Sequence, residues 1–292
     1  CSRLAVRERQ AANRERRTMA ITYLIDLDCP VKQAVRPAKM LRLLYQRERA
    51  NEAVNKARRK DASVKPEQVK LRVPVAVKSG KPQLADTTAG EVLSRFSELE
   101  ALSHHCRECP ARALPMAFGC RGEIEFPVSL RAEAWLMGLV HGAAGDPVPR
   151  MLLNYMASNG IVGNRVAEMR RTPGIFFESK KALTRRYETG EKLSINQLFE
   201  LLFLTEKISS GHARFLLGLF ELYEGNLPLD GRVQDFSGLR VFEKRDAGAL
   251  VSRAGVKALA EPADDRAVRE IKEFFQAMFL AHELGVSLSV SI

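Results

Sequence analysis

The seven residues at 286–292 place the strongest constraint on how this chain folds. They alternate apolar and polar side chains with a period of two, which is the pattern of a β-strand with one buried face. A strand needs neighbours for its backbone hydrogen bonds, yet residues 129–284 read as mostly helical. We therefore predict that this strand pairs with a sheet near the start of the chain, so that the two halves form one interlocked unit.

Three further segments have strand patterns. Residues 20–28 contain a β-branched, apolar run, and residues 69–77 alternate with a period of two. Pro74 indicates that the second of these is an edge strand, and residues 123–128 supply a short third candidate. Together with residues 286–292, these segments predict an α-rich α/β fold with a small mixed sheet.

Helical patterns fill most of the remaining chain. A helix begins at Pro37, and residues 264–284 form a strongly apolar one. Ser194, followed three residues later by Gln197, predicts a capping box at the start of another helix. The predicted division is a disordered or non-native extension, an α/β part with the cysteine cluster, and a mainly helical part ending in a strand: residues 1–18, 19–128 and 129–292.

The composition is that of a soluble globular protein. Hydrophobic residues make up 46% of the chain and charged residues 28%. The longest uncharged stretch, residues 151–164, is interrupted by Asn and Gly and falls short of the roughly 18 apolar residues that a membrane span needs. The sequence therefore predicts no membrane span.

The chain is strongly basic, with a net charge of +11 at pH 7. Residues 1–18 carry six Arg against two Glu, and a strand pattern begins directly after Met19. We predict that Met19 is the natural start and that residues 1–18 are a translated upstream region. The alternative is a basic arm that becomes ordered on nucleic acid. The charge of the whole chain predicts an acidic partner, with nucleic acid as one candidate.

Part of the basic charge lies in a row on the first predicted helix. Its members recur at positions that share one side of a helix. A row of this kind can follow the phosphates of a nucleic acid, and it is also compatible with the solvated face of an amphipathic helix. The predicted nucleic-acid-binding residues are Lys39, Arg42, Arg49, Lys56 and Lys60.

Three cysteines within fifteen residues form the clearest chemical motif. Cys106 and Cys109 have the spacing that holds one metal ion from a single turn, and Cys120 follows a segment that contains Pro. We predict a metal site with Cys29, at the end of the first strand, as the fourth ligand. His104 or His105 is the alternative fourth ligand.

Zinc is the first choice of metal because thiolates in a tetrahedron form closed structural zinc sites. An iron–sulfur cluster is the competitor, since Pro30 and Pro110 each follow a cysteine, as in cluster-binding motifs. The other interpretation treats the cysteines as small hydrophobic core residues. An odd number of cysteines and the lack of an export signal predict a reducing, cytoplasmic compartment.

A pair of acidic residues suggests a second kind of site. Ile25-Asp26-Leu27-Asp28, at the end of a hydrophobic strand, resembles the opening motif of haloacid dehalogenase-type phosphotransferases. The resemblance implies that Asp26 is a nucleophile and that Asp28 is its acid/base partner. Pro30 stands where that motif usually has Thr or Val, and no strand precedes the later Asp264-Asp265 pair that would hold Mg²⁺.

The predicted function is that of a metal-stabilised intracellular binding or regulatory protein with a basic surface for an anionic partner. The alternative is an enzyme that uses a cysteine-ligated iron–sulfur cluster or the Asp26/Asp28 phosphotransfer site. Neither the substrate nor the oligomeric state can be inferred from these patterns.

Overall fold

The computed structural model describes residues 20–75, 83–107, 109–113, 117–140, 147–172, 174–188, 190–222 and 258–292. These residues form a mixed α/β fold in which helix predominates. They divide into two compact units. Residues 28–109 belong to one, called here the small unit, and the described residues on either side of it belong to the other, the large unit.

The elements are numbered in chain order. The strands are β1 Ala20–Ile25, β2 Lys70–Val75, β3 Gln83–Thr88, β4 Arg121–Glu125, β5 Thr184–Arg186, β6 Lys192–Ser194, β7 Lys207–Ile208 and β8 Leu288–Ser291. The α-helices are α1 Pro30–Ala34, α2 Pro37–Arg58, α3 Ala89–Glu100, α4 Leu130–Leu139, α5 Pro147–Ser158, α6 Asn164–Met169, α7 Ile195–Phe203, α8 Ser210–Leu219 and α9 Arg266–Glu283.

The large unit contains a four-stranded sheet in the order β4-β1-β8-β7. Strand β1 pairs with β4 on one side and with β8 on the other, and both pairings are antiparallel. In this register Tyr23 of β1 lies opposite Gly122 of β4 and Val290 of β8. The last strand of the chain therefore lies beside the first, while the two-residue strand β7 continues the sheet beyond it.

Two details of the predicted sheet were wrong. The prediction was a mixed sheet, but every strand pair described here is antiparallel. The prediction also placed residues 69–77 in it, whereas β2 pairs with β3 in a separate two-stranded sheet. Alternation shows that a strand has one buried face but does not identify its partner. Residues 83–88, which were not predicted as a strand, provide that partner from a position close in sequence.

Helix α9 covers the sheet of the large unit. Its N-cap residue is Asp265, whose carboxylate accepts a hydrogen bond from the Val268 amide at 2.8 Å. Phe274 and Phe275 are fully buried, and the ring of Phe274 meets that of Tyr23 edge to face at 5.2 Å between centroids. Burial of these aromatic side chains joins the helix to the sheet.

The small unit has a helix–hairpin–helix arrangement. Helices α2 and α3 pack against each other, and the β2–β3 hairpin connects them. Helix α3 begins with a capping box in which the Glu91 amide donates to the Thr88 hydroxyl at 3.2 Å. One apolar cluster holds the elements together: Ala50, Val54, Val73, Ala89 and Val92.

None of the helices in the described part of the chain combines the length and the apolar character that crossing a membrane requires.

Candidate nucleic-acid interface and predicted cysteine site

Helix α2 has a buried side and a basic side. Met40, Leu44 and Ala50 are almost completely buried, and they define the side that faces the core of the small unit. Arg42 and Lys56 are exposed on the other side, and Arg49 is partly exposed. The segregation follows from the 3.6-residue period, which places residues three, four and seven apart on one side of a helix.

Three cations on this side of α2 form a row along the helix axis. Arg42, Arg49 and Lys56 follow each other at intervals of seven residues, and seven residues are close to two helical turns, or about 10.5 Å along the axis. The predicted row is therefore present on α2 over about 21 Å. Its charges are fixed by the helix rather than by the conformation of a loop.

The two outer members of the predicted row differ from the inner three. Lys39 lies near the start of α2, and its ammonium is 3.5 Å from a carboxylate oxygen of Glu98 on α3. Both side chains are well exposed, so this ion pair contributes little to stability. Lys60 is exposed in the turn after the end of α2. It extends the basic charge beyond the helix without belonging to the helical face.

The positive charge of the protein is concentrated in the small unit. Residues 28–109 contain 17 Lys and Arg against 10 Asp and Glu, a net charge of +7. Residues 110–292 contain 23 against 22, a net charge of +1. Residues 1–27 contain 6 Arg against 3 Asp and Glu, a net charge of +3. The unit that carries helix α2 is thus strongly basic, while residues 110–292 are almost neutral.

Aromatic rings contact two arginines of α2 in different ways. The guanidinium carbon of Arg47 lies 4.3 Å from the ring centre of Phe96, a buried residue of α3, so Arg47 helps pack the two helices. The guanidinium carbon of Arg49 lies 5.8 Å from the ring centre of Tyr45. Tyr45 is partly exposed and lies on the basic side of the helix.

A second basic segment, residues 170–186, is partly used for structure. Arg170 is only 4% exposed and is paired with Glu133. Arg185 donates a hydrogen bond to the Val140 carbonyl. The other four cations of the segment are exposed: Arg171, Lys180, Lys181 and Arg186.

The cysteines of the small unit lie near two short helical elements. Cys29 is the N-cap residue of α1 and is partly exposed, while Cys106 is buried at the end of the 3₁₀ turn Ser103–Cys106. The Cys109 amide donates to the Cys106 carbonyl at 3.4 Å, so one turn spans both residues. Helix α1 contacts the 3₁₀ turn. Cys29, Cys106 and Cys109 form no disulfide with one another.

The remaining candidate ligands have other surroundings. Cys120 belongs to the large unit, where it is buried and its carbonyl accepts a hydrogen bond from the Ile25 amide at 2.9 Å. His104 and His105 are exposed, with ring centres 3.9 Å apart. Within the described ranges, no group of three or more His, Cys, Asp or Glu has the geometry to hold a metal ion. The zinc or iron–sulfur site stays a prediction from the sequence.

The two acidic residues that follow β1, Asp26 and Asp28, contact different residues. Asp26 accepts a hydrogen bond from the Ser289 hydroxyl at 2.7 Å and lies 3.8 Å from the ammonium of Lys207. Asp28 accepts a hydrogen bond from the side-chain amide nitrogen of Gln33 at 2.8 Å. These contacts hold both carboxylates at the ends of secondary-structure elements, where Asp commonly occurs.

The later acidic pair also has structural contacts. Asp264 accepts a hydrogen bond from the ammonium of the buried Lys272 at 2.8 Å. Asp265 caps helix α9 and accepts a hydrogen bond from the Ser129 hydroxyl at 2.7 Å. These contacts give both carboxylates a structural role and add nothing to the resemblance to phosphotransferases.

Two residues on the basic side of α2 were absent from the predicted site. Tyr45 follows Arg42 by three residues, and Glu52 follows Arg49 by three. The helical spacing that selected the cations also selects these two residues, so the signal was present in the sequence. It was missed because only cations were considered.

Comparisons with known proteins do not assign a family. No protein-family model matches the chain, and neither a curated protein nor a solved structure is similar to it.

Proposed function

We propose that this protein binds nucleic acid through the basic side of helix α2. The observation that carries the proposal is the row of Arg42, Arg49 and Lys56 on a helix whose opposite side is buried. The net charge of +7 in the small unit supports the same function, because a polyanion is attracted to a unit of concentrated positive charge.

The physical basis of such binding is the release of counterions. Nucleic acids carry a condensed layer of cations, and each protein cation that neutralises a phosphate releases part of it. Binding should therefore weaken steeply as salt is raised, with a slope set by the number of phosphate contacts. A rigid helix loses little conformational entropy when it presents its charges, which favours this surface over cations on mobile loops.

The alternative for α2 is a merely solvated face. Such faces usually intersperse charges of opposite sign at spacings of three or four residues. Helix α2 has six Lys and Arg against two Glu, and only Glu52 lies within the row, between Arg49 and Lys56. This excess of cations favours an anionic partner.

The test compares two triple charge reversals in the full chain. The first replaces Arg42, Arg49 and Lys56 by Glu, and the second replaces Lys180, Lys181 and Lys192 of the large unit by Glu. Both variants change the net charge equally, and all three control lysines are exposed. Binding to fluorescein-labelled DNA and RNA oligonucleotides is measured by anisotropy over a series of salt concentrations.

We expect the α2 variant to lose at least about tenfold in affinity and to reduce the magnitude of the salt slope by about 2 to 3. The control variant should lose much less. Equal losses in the two variants would mean that only total charge matters, and an absence of binding by the unmodified protein would disprove the proposal. Circular dichroism and thermal unfolding establish that each variant is folded.

A second proposal concerns four of the cysteines. We propose, from the spacing of the cysteines in the sequence, that Cys29, Cys106, Cys109 and Cys120 are thiolate donors for a zinc ion, with an iron–sulfur cluster as the alternative. The supporting observation is that α1, which begins directly after Cys29, contacts the turn that ends at Cys106. A structural metal would stabilise the small unit in addition to its apolar core.

Elemental analysis of protein purified anaerobically tests the metal proposal. We expect about one zinc per chain, lost in Cys29→Ala, Cys106→Ala and Cys120→Ala, because each variant removes one predicted thiolate ligand. Visible absorbance with iron in place of zinc would favour the cluster. Metal-free protein with unchanged stability in all three variants would eliminate both forms of the proposal.

A further inference from the structure

We infer that helix α2 binds single-stranded nucleic acid and that Tyr45 stacks on one of its bases. The inference rests on the proposed function and names the form of nucleic acid that fits this face. It starts from the position of one aromatic ring within the basic row.

Tyr45 lies between two arginines on the same side of the helix. It follows Arg42 by three residues and precedes Arg49 by four, spacings at which helical side chains are neighbours. The ring is partly exposed, and the guanidinium carbon of Arg49 is 5.8 Å from its centre. The helix therefore presents a ring with a cation on each side of it along its axis.

An aromatic ring among cations suits a particular class of ligand. Single strands expose the faces of their bases, and proteins bind them by combining phosphate contacts with stacking on aromatic side chains. In a duplex the base faces are covered by their neighbours, so a ring on a flat helical face gains no stacking there. Phosphate contacts alone would not need Tyr45.

The stacking role also fits the energetics of the fold. The buried side of α2 consists of other residues, among them Met40, Leu44 and Ala50. A partly exposed tyrosine contributes less to the core than these side chains do. Its position on the basic side places the partly exposed ring where a bound base could reach it.

Three probes separate stacking from charge. The first is a labelled single-stranded DNA of about 20 nucleotides, longer than the roughly 4–16 nucleotides that a small domain covers. The second is the same strand paired with its complement. The third has the same length and phosphates, with abasic sites in place of the central bases. Each is titrated with the full-length protein and with its Tyr45→Leu and Tyr45→Phe variants.

The unmodified protein should bind the intact single strand more tightly than the duplex or the abasic strand. Tyr45→Leu should weaken binding to the intact single strand about tenfold and leave the abasic strand unchanged, while Tyr45→Phe should keep most of the affinity. Leucine is a good helix former, so the fold of α2 should be preserved. Equal weakening on the intact and abasic strands, or tighter binding of the duplex by the unmodified protein, would overturn the inference.

Failure of this inference can be distinguished from failure of the proposed function. If the triple reversal of Arg42, Arg49 and Lys56 weakens binding but Tyr45→Leu does not, helix α2 binds nucleic acid without stacking, and only the inference is wrong. If the triple reversal leaves affinity unchanged, both are wrong. Intact binding by the control variant ensures that the loss belongs to this face.

Discussion

Arg170 and Glu133 form a fully buried ion pair in the large unit. Two guanidinium nitrogens of Arg170 donate to the two carboxylate oxygens of Glu133, at 3.0 and 2.7 Å. Asn196 accepts a hydrogen bond from the third nitrogen of the guanidinium at 2.5 Å, and the Ser179 carbonyl accepts another at 3.1 Å. The ring of Phe177 lies 4.0 Å away. This cluster connects helices α4 and α7 with the segment between them.

Removal of one partner from this pair should be strongly destabilising. Glu133→Gln keeps the size of the side chain but leaves the guanidinium of Arg170 buried without its counter-charge. We expect the free energy of unfolding to fall by about 3–5 kcal/mol, as for other broken buried pairs. Urea unfolding followed by circular dichroism measures the change.

The neighbouring Arg171 provides a matched control for that prediction. Its side chain is 80% exposed and lies 3.9 Å from the exposed Glu168. Arg171→Met should therefore change stability by less than about 0.5 kcal/mol. Arg170→Met makes the same replacement within the buried pair and should be strongly destabilising. If the two variants destabilise the protein equally, burial of the Arg170 pair does not stabilise the large unit.

Gly122 is needed where β4 passes the ring of Tyr23. A Cβ atom at this position would overlap the hydroxyl and ring of Tyr23, which is almost fully buried. Gly122→Ala should therefore destabilise the protein by about 1–3 kcal/mol, as overpacked cores are. Because the Cζ and Cε2 ring carbons of Tyr23 would overlap the added Cβ as well as the hydroxyl, Tyr23→Phe, which keeps both carbons, should recover little of the loss in the double variant.

An open helical glycine serves as the comparison for Gly122. Gly138 lies in α4, and an added Cβ would meet nothing within 4 Å. Gly138→Ala should stabilise the protein by about 0.5–1 kcal/mol, because alanine restricts the unfolded chain and favours helix. A destabilising effect of similar size in both variants would argue against a specific clash at Gly122.

Glu270 should make stability depend on pH. Burial raises the pKa of this carboxyl to about 7, while the Glu125 amide and the Arg266 guanidinium oppose the rise, and the carboxylates of Glu125 and Glu123 add to it. The unfolded chain ionises first as pH rises, so this group lowers stability progressively between about pH 4.5 and 7. Above pH 7 the full penalty remains.

Glu270→Gln removes this titration while keeping an acceptor for the Glu125 amide. We expect the variant to exceed the unmodified protein in stability by about 1–2 kcal/mol at pH 8 and to match it near pH 4.5. Urea unfolding at the two pH values measures the difference. A constant difference across this range would show that Glu270 titrates normally. The exposed Glu168→Gln variant should show little change.

Local signals in the sequence predicted individual elements well. The capping box at Ser194 and Gln197 is confirmed, with the Ser194 amide donating to the Gln197 side chain at 2.9 Å. The apolar helix predicted over residues 264–284 is confirmed as α9. Both signals depend on residues a few positions apart, whose relative positions are set by helix geometry alone.

Relationships between distant residues were harder to predict. Glu133 and Arg170 are 37 positions apart, and neither is marked in the sequence as a buried charge. Glu133 occurs in a mostly apolar helix, which was a usable signal, while nothing in the sequence around Arg170 distinguishes it from a surface cation. Strand pairing has the same difficulty, because alternation identifies the buried face of β2 but not β3 as its neighbour.

Glu52 should weaken nucleic-acid binding by helix α2 because it places a carboxylate within the basic row. It is exposed and lies between Arg49 and Lys56 on the same side of the helix. Glu52→Gln should therefore raise the affinity for a single-stranded oligonucleotide about two- to threefold at low salt, with a smaller gain at physiological salt because screening is stronger. Glu188→Gln, an exposed position of the large unit, makes the same change in net charge and should have little effect. If both variants bind equally more tightly, the gain reflects total charge and α2 is not the contact surface.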